Sequence, residues 1–151
     1  MTEITFYRAS EQPYGVFSNL YRRRIFFENR WFDTNEHAYQ YGKPRKKDVR
    51  DWLMAAPSPA LLAMAAHGLY RWDIVPGWSR VKIIRMERVL RAKFTQHEDL
   101  KQVLLGTGDA DLVEEASVND ASARFWGRVK GKGHNTLGRM IMEVRKELRD
   151  G

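Results

Sequence analysis

The sequence predicts a mainly α-helical α+β fold: a single compact helical domain over residues 1–151 with a small N-terminal β-sheet. Three observations carry this. The chain has 151 residues, 43% of them apolar and 12% aromatic, which suits one domain with a sizeable core. Runs rich in β-branched and aromatic residues lie mostly near the N-terminus. From Asp33 onward most apolar residues recur at helical spacing, between residues that start and stop helices.

In order along the chain, "EITFYR" and "RRIFFENRW" read as two short strands flanking the loop "SEQPYGVFSNLY", paired in one small sheet. Asp33 followed by Glu36 has the form of a capping box, so a helix is expected through Gln40 to about Gly42, stopping before Pro44. "DVRDWLMAA" continues as a second short helix. In "SPALLAMAAHG", Ser58 is the N-cap, Pro59 the first helical residue and Gly68 the stop. The stretch from Gly77 to Gly106 sets Val81, Ile84, Val89 and Phe94 near helical spacing and reads as two helices, with a break around Gln96 to Glu98. "ADLVEEA" reads as extended, and Ser117 to His134 as a long irregular segment rich in glycine and basic residues. In the last helix Leu137, Met140, Ile141, Val144 and Leu148 form one core stripe, with Asn135 as N-cap.

Composition excludes several classes of function. With no cysteine there is no disulfide framework, no thiolate nucleophile and no cysteine-ligated zinc or iron–sulfur centre. No apolar run approaches the roughly 20 residues of a membrane helix, and the start "MTEITFYRAS" lacks a signal-peptide layout, so a cytoplasmic protein with no membrane partner is expected. The four histidines, at 37, 67, 97 and 134, lack metal-ligand spacing, and no metal or cofactor is expected. Twenty-six Lys and Arg against nineteen Asp and Glu give a net charge of +7, which favours phosphate-bearing partners, whether nucleic acid or a phosphorylated small molecule.

Three stretches carry candidate chemistry. In "NEHAYQYGK", a helix continued to Lys43 would put Glu36, Gln40 and Lys43 on one face, Glu36 and Lys43 about 10 Å apart along the axis, close enough for two long side chains to meet on a sugar. The plainer alternative is a capping glutamate and a solvated lysine. His37 points to another face and reads as a buried hydrogen-bonding residue. "YGVFSNL" offers Tyr14 and Phe17 for stacking on a flat ring, with Gly15, Ser18 and Asn19 for hydrogen bonds. "NDASARFWGRVKGKGHNTLG" joins Asp120, Trp126, Gly127, Lys130 and Lys132 to a helix start near Asn135, a composition suited to phosphate.

Taken together, "YGVFSNL", "EHAYQYGK", "RAKFTQHEDLKQVLLGTGDADLVE", "ND" followed by "FWG", and "NTLGRMIMEVR" resemble the NADAR (NAD and ADP-ribose), or YbiA-like, family over nearly the whole chain. The resemblance implies an N-glycosidase, acting on ADP-ribosylated guanine or on phosphoribosylamino intermediates of riboflavin synthesis. It makes Glu36 and Lys43 the catalytic pair and puts Asn19, Gln40, Asp120, Trp126 and Asn135 around the substrate. It implies a substrate bearing ADP-ribose or ribose phosphate, with ADP-ribosylated nucleic acid as one form. The sequence departs from the pattern in two places: five residues, "ASARF", separate Asp120 from Trp126, and Pro44 directly follows Lys43.

Those residue types suit the chemistry. Breaking an N-glycosidic bond builds positive charge on C1 and the ring oxygen, and the departing base must take a proton. A carboxylate beside C1 stabilises that charge, while a lysine can donate to the ring oxygen or attack the opened sugar as an amine. A nucleophilic amine needs burial or a neighbouring cation to lower its pKa, and Arg45 to Lys47 supply cations close in sequence. Two readings from other classes compete: a non-catalytic ADP-ribose reader, and a nucleic-acid-binding module using aromatics beside arginines, as in "YRRRIFF".

Overall fold

The computed structural model describes Thr2–Gly151. In chain order the elements are β1 (Glu3–Phe6), a 3-10 turn (Tyr14–Phe17), β2 (Ile25–Phe27), β3 (Arg30–Phe32), α1 (Asn35–Gln40), α2 (Lys47–Met54), α3 (Pro59–His67), a 3-10 turn (Arg71–Asp73), α4 (Trp78–Gln96), α5 (Glu98–Gly106), β4 (Asp111–Glu114), α6 (Ala121–Trp126) and α7 (Thr136–Asp150). The mainly helical architecture with little sheet is the one expected. No helix among the described residues is long and apolar enough to cross a membrane. The chain divides into two compact units: the N-terminal segment to Tyr21 with Phe94–Gly151, and Arg22–Lys93 between them.

In the Arg22–Lys93 unit, "IFFENRWF" is a hairpin rather than the single strand expected. β2 and β3 pair antiparallel in the register Ile25↔Phe32, Phe26↔Trp31, Phe27↔Arg30. The turn residues Glu28 and Asn29 have φ of 50° and 65°, the left-handed pair that a two-residue hairpin turn requires. Ile25, Phe27 and Phe32 face inward onto Ala38 of α1 and Val89 of α4. A second cluster joins Leu53 of α2 to Leu62 and Ala66 of α3. α3 has the predicted ends: the Ser58 hydroxyl accepts from Leu61 N–H at 3.1 Å, and Pro59 opens the helix. On α4, Val89 is buried, but Val81 and Ile84 are 41% and 62% exposed; the apolar stripe drifts, and Met86 and Leu90 complete the buried face instead.

In the other unit, β1 runs parallel to β4 in the register Glu3↔Asp111 to Phe6↔Glu114. The N-terminal strand therefore pairs with "DLVE", and the two first-read strands do not share a sheet. Phe6 meets Phe17 edge-on at 5.7 Å, and Phe17 lies 6.1 Å from Phe94. α7 buries Leu137, Met140, Ile141 and Val144 as its pattern predicts. It comes so close to β4 that a Cβ on Gly138 would overlap the Leu112 carbonyl oxygen. The segment read as irregular from Ser117 contains α6, capped by Asp120, whose carboxylate accepts from Ala123 N–H at 2.8 Å.

Candidate active site

The most informative element is α1. All six of its residues, "NEHAYQ", are buried, although only Ala38 and Tyr39 are apolar in character. Burying polar groups is unfavourable unless each is satisfied, so the polar members of this short helix have to find partners inside the protein. Its start is set by Thr34, not Asp33: the Thr34 hydroxyl accepts from His37 N–H at 3.2 Å and lies 2.7 Å from His37 Nδ1. Asp33 is exposed, one residue too early to cap. Thr34 uses its short side chain for the same job and ties down the His37 ring. His37 is thus the buried hydrogen-bonding residue expected, and burial pushes its pKa down.

The helix stops at Gln40, so Lys43 does not share a helix face with Glu36 as the periodicity argument assumed. Gly42 and Lys43 continue as a tighter turn, with N–H groups donating to the Tyr39 and Gln40 carbonyls at 3.3 and 3.1 Å. Pro44 then forms a bridge to Ile74, and the Lys43 carbonyl accepts from Val75 N–H at 2.9 Å. Pro44 ends the turn and starts an extended contact that fixes where Lys43 leaves the backbone.

Glu36 is 9% exposed, and its Oε2 accepts from Gln40 Nε2 at 2.8 Å. Burial raises the Glu36 pKa, opposed by the Gln40 hydrogen bond and by the charge on Lys43. The Lys43 ammonium donates to the Ala66 carbonyl at 2.7 Å, near the end of α3. Burial lowers the Lys43 pKa; Glu36 pulls it up, and Lys82 on α4 pushes it down. The cation that acts on Lys43 is therefore Lys82; Arg45 to Lys47, the cations near in sequence, are exposed. Tyr39, stacked obliquely on Trp78 at 5.3 Å, has its phenol held protonated by burial and by the Glu36 charge. Gln40 is 5% exposed, and its Oε1 is buried with no hydrogen-bond partner in the protein. The amide cannot turn round to cure this without pointing an oxygen at the Glu36 carboxylate.

Arg85, which sequence reasoning missed, holds this set in place. Its Nε donates to the Ala38 and Tyr39 carbonyls at 2.9 and 3.1 Å, its Nη2 donates to Ala38 at 2.6 Å, and its Nη1 pairs with Glu28 at 2.8 Å. These are carbonyls of the last turn of α1, the helix end that favours a cation; the Tyr39 carbonyl also accepts from Gly42 N–H. Gly42 lies flat against the guanidinium: a Cβ there would sit 2.6–2.7 Å from Arg85 Nε, Cδ and Cζ. The available signal was in α4, where Lys82, Arg85 and Lys93 interrupt the stripe containing Met86, Val89 and Leu90.

The other predicted residues lie in the second unit. Gly15, Phe17 and Ser18 are buried; Phe17 is core, and the Ser18 hydroxyl accepts from Leu20 N–H. Tyr14 stacks on Phe17 at 5.8 Å, and Tyr14 and Asn19 are half-buried. Trp126, half-buried at the end of α6, meets Phe125 edge-on at 4.9 Å. Gly127 is buried, and its carbonyl accepts from Asn135 N–H. Asn135 precedes α7 in a left-handed conformation, without capping it by its side chain. Its amide instead donates to the Leu112 carbonyl and accepts from Glu114 N–H, so both polar ends tie α7 to β4. Lys130 and Lys132 are exposed on a tight turn. The structure thus brings Glu36, Gln40 and Lys43 together, while Gly15, Phe17, Gly127 and Asn135 are buried in the other unit. Among the described residues no three His, Asp or Glu side chains are grouped as metal ligands would be.

Comparison with known proteins agrees with the residue pattern. N-glycosidase YbiA of Shigella flexneri serotype 5b is 37% identical over 97% of this chain and 89% of its own length. A riboflavin biosynthesis protein of Vibrio vulnificus, VVA0006, is 32% identical over 97% of this chain, which spans 39% of that larger protein. The NMR structure of the E. coli protein YbiA superposes with a TM-score of 0.85 at 34% identity, over 99% of this chain and 86% of that one. The NADAR domain profile matches residues 5–149, and with these likenesses along its length the chain belongs to the NADAR family.

Proposed function

We propose that this protein is an N-glycosidase that hydrolyses the bond between ribose C1 and a nucleobase nitrogen in an ADP-ribosylated nucleobase of the guanine type, with Glu36 and Lys43 as the reacting groups. The observation that carries the reading is the set of buried Glu36 and Gln40 with half-buried Lys43, in which burial raises the carboxyl pKa and lowers the amine pKa. Opposite shifts of this kind mark a pair arranged to hold and move protons. The orphaned Gln40 Oε1 supports a sugar ligand, because a ribose hydroxyl donating to it satisfies an acceptor that otherwise costs about 1–3 kcal/mol.

In this mechanism the ring opens with a proton delivered to the ring oxygen. The neutral Lys43 amine then adds to C1, and the base departs carrying a proton on its nitrogen. The resulting imine takes up one water, releasing ADP-ribose and restoring the amine. Glu36 stabilises the positive charge that passes through C1, and Gln40 holds the carboxylate in line. The net change is one water consumed per bond cleaved. A second reading, cleavage of a phosphoribosylamino-pyrimidine, is favoured by the Vibrio relative's name and needs the same C1–N chemistry.

The test is incubation with ADP-ribosylated guanosine, with product separation and borohydride added during turnover. Cleaved base together with a reduced sugar adduct on the Lys43 peptide is expected. Lys43→Arg keeps the charge but forms no imine, so the adduct disappears with the activity. Ligand recovered intact would make the protein a reader. Normal turnover by Lys43→Arg without any adduct would reduce Lys43 to a positioning charge.

A further inference from the structure

Within the Arg22–Lys93 unit, α2 and the end of α3 enclose a cavity that the chemistry above does not use. Its volume is about 280 Å³, and its walls include Asp48, Val49 and Trp52 of α2, Leu69 after α3, and Tyr70 and Asp73 around the following 3-10 turn. Asp48 and Trp52 stand four residues apart on α2 and so share a face. Trp52 and Tyr70 are 62% and 64% exposed, large rings that folding leaves in solvent. The lining is held in place: Trp72 stacks on Tyr70 at 4.8 Å and 9°. Asp73 N–H donates to the Tyr70 carbonyl at 2.9 Å, and the Asp73 carbonyl accepts from Arg45 N–H at 2.7 Å.

The lining is selective in charge. The chain carries 26 Lys and Arg against 19 Asp and Glu, yet among the described residues the charged side chains that line this cavity are two carboxylates. Neighbouring cations are engaged elsewhere: Lys47 pairs with Asp51 at 2.6 Å, and Arg50 lies 4.5 Å over the Tyr41 ring. Lys46 is 3.4 Å from Asp73, but its side chain is 55% exposed, and so open an ion pair yields readily to a competing cation. Aromatic faces attract a positive charge, carboxylates neutralise it, and Val49 and Leu69 cover alkyl groups. From these residues we propose that the cavity is a ligand site for a small free quaternary ammonium ion. A primary ammonium holds its water more strongly and loses more on entry. A phosphate-bearing ligand would be repelled by Asp48 and Asp73. The volume is at the small end of ligand sites, which fits a compact ion and not a length of peptide. The site is independent of the glycosidase reading, because neither Glu36 nor Lys43 lines it. The cavity beside Tyr14, Thr107 and Asp109 is a weaker candidate, since Arg149 already pairs with Asp109 and Arg145 donates to the Thr107 hydroxyl.

The experiment titrates the full-length, isotope-labelled protein with choline and, separately, with its uncharged isostere dimethylbutanol, in which carbon replaces the charged nitrogen. NMR shifts of backbone amides and indole N–H groups report where each binds. Choline should shift the Trp52 indole and the amides from Leu69 to Asp73 in a saturable way, and the alcohol should bind at least about tenfold more weakly. Asp48→Asn with Asp73→Asn should weaken choline at least about tenfold, and Trp52→Leu comparably, while Trp52→Phe retains most of the affinity. Added salt should weaken choline and leave the alcohol unchanged. Should the Asp73 change disturb its turn, Asp48→Asn, at an exposed position of α2, and the choline-to-alcohol ratio of the parent decide alone. Equal affinity for choline and the alcohol would leave only an apolar cleft and overturn the proposal. So would shifts confined to other residues, or undiminished binding by the asparagine variants. A trimethyl-lysine peptide binding at least about tenfold tighter than choline would move the ligand from a free ion to a modified protein. A dimer in sedimentation that Trp52→Leu dissolves would make the face a contact between copies, and either result would overturn the free-ion site.

Discussion

Lys93 gives the most quantitative test of how this fold treats buried charge. It sits on α4, is 2% exposed, and burial pushes its pKa down to about 7. In the unfolded chain the same amine titrates near 10.5. Between those values the unfolded state binds more protons than the folded one, so stability rises with pH across that window. At pH 7 the unfolded chain is fully protonated here and the folded chain about half so. By pH 10 much of the difference has gone, and with a slope of up to about 1.4 kcal/mol per pH unit the gain is about 3–4 kcal/mol. Replacing Lys93 by Met, an unbranched apolar side chain of similar length, removes this one titration.

The assay is urea unfolding at 25 °C of the parent and Lys93→Met at pH 7, 8, 9 and 10. The variant should be the more stable at pH 7, and its advantage over the parent should shrink by about 3–4 kcal/mol by pH 10. Taking the difference between the two proteins cancels the other groups that titrate in this range. An advantage that stays flat across the series would mean that Lys93 keeps its proton when folded, with a counter-charge outweighing burial, and the reasoning would be wrong.

Glu36→Gln should keep the fold and lower turnover at least about a hundredfold; near-parental turnover sinks the assignment. The same change removes the charge that raises the Lys43 pKa, so the residual activity should reach its plateau at lower pH, as a pH–rate profile would record. Gly42→Ala should destabilise by about 1–3 kcal/mol, because its Cβ meets a guanidinium that three hydrogen bonds and an ion pair hold still; a midpoint in urea equal to the parent's would show that Arg85 yields. Lys130→Ala with Lys132→Ala should mainly raise KM if that turn binds phosphate, whereas a collapsed kcat at unchanged KM would give it another role.

What could be read from the sequence was what short-range chemistry decides. Ser58 and Pro59 open α3 because a hydroxyl and a ring act within one turn, and Gly68 closes it in a backbone conformation open to any residue. The α7 stripe was legible because its core contacts recur with the helix itself. The hairpin was missed because its turn uses Glu28 and Asn29 at positive φ, where glycine would have marked it. Pairing of Glu3 with Asp111 depends on residues far apart in sequence and leaves no periodicity to count. α6 hid in a glycine-rich stretch because a six-residue helix is too short to show a stripe. At the candidate site, the shared face of Glu36 and Gln40 was legible from helical spacing, whereas Lys82 acts on Lys43, and Arg85 on the α1 carbonyls, only through folding.

The buried polar helix explains why so much surrounding structure is devoted to so few atoms. Packing Glu36 inside works against its charged form, and packing Lys43 inside works against its own, so each partner's burial makes the other's charge more valuable. Left free to move, such a pair would relax toward water. Three contacts oppose that: Gln40 on the carboxylate, the Ala66 carbonyl on the ammonium, and Arg85 across the last turn of α1. Each fixes a group at one end and leaves its reactive atom defined in direction. Gln40 leaves one further buried acceptor unmet, a deficit that a donor hydroxyl removes. A ligand offering such a hydroxyl next to an electrophilic carbon would therefore be bound and oriented by the same interactions that keep the carboxyl and the amine poised against their solvation.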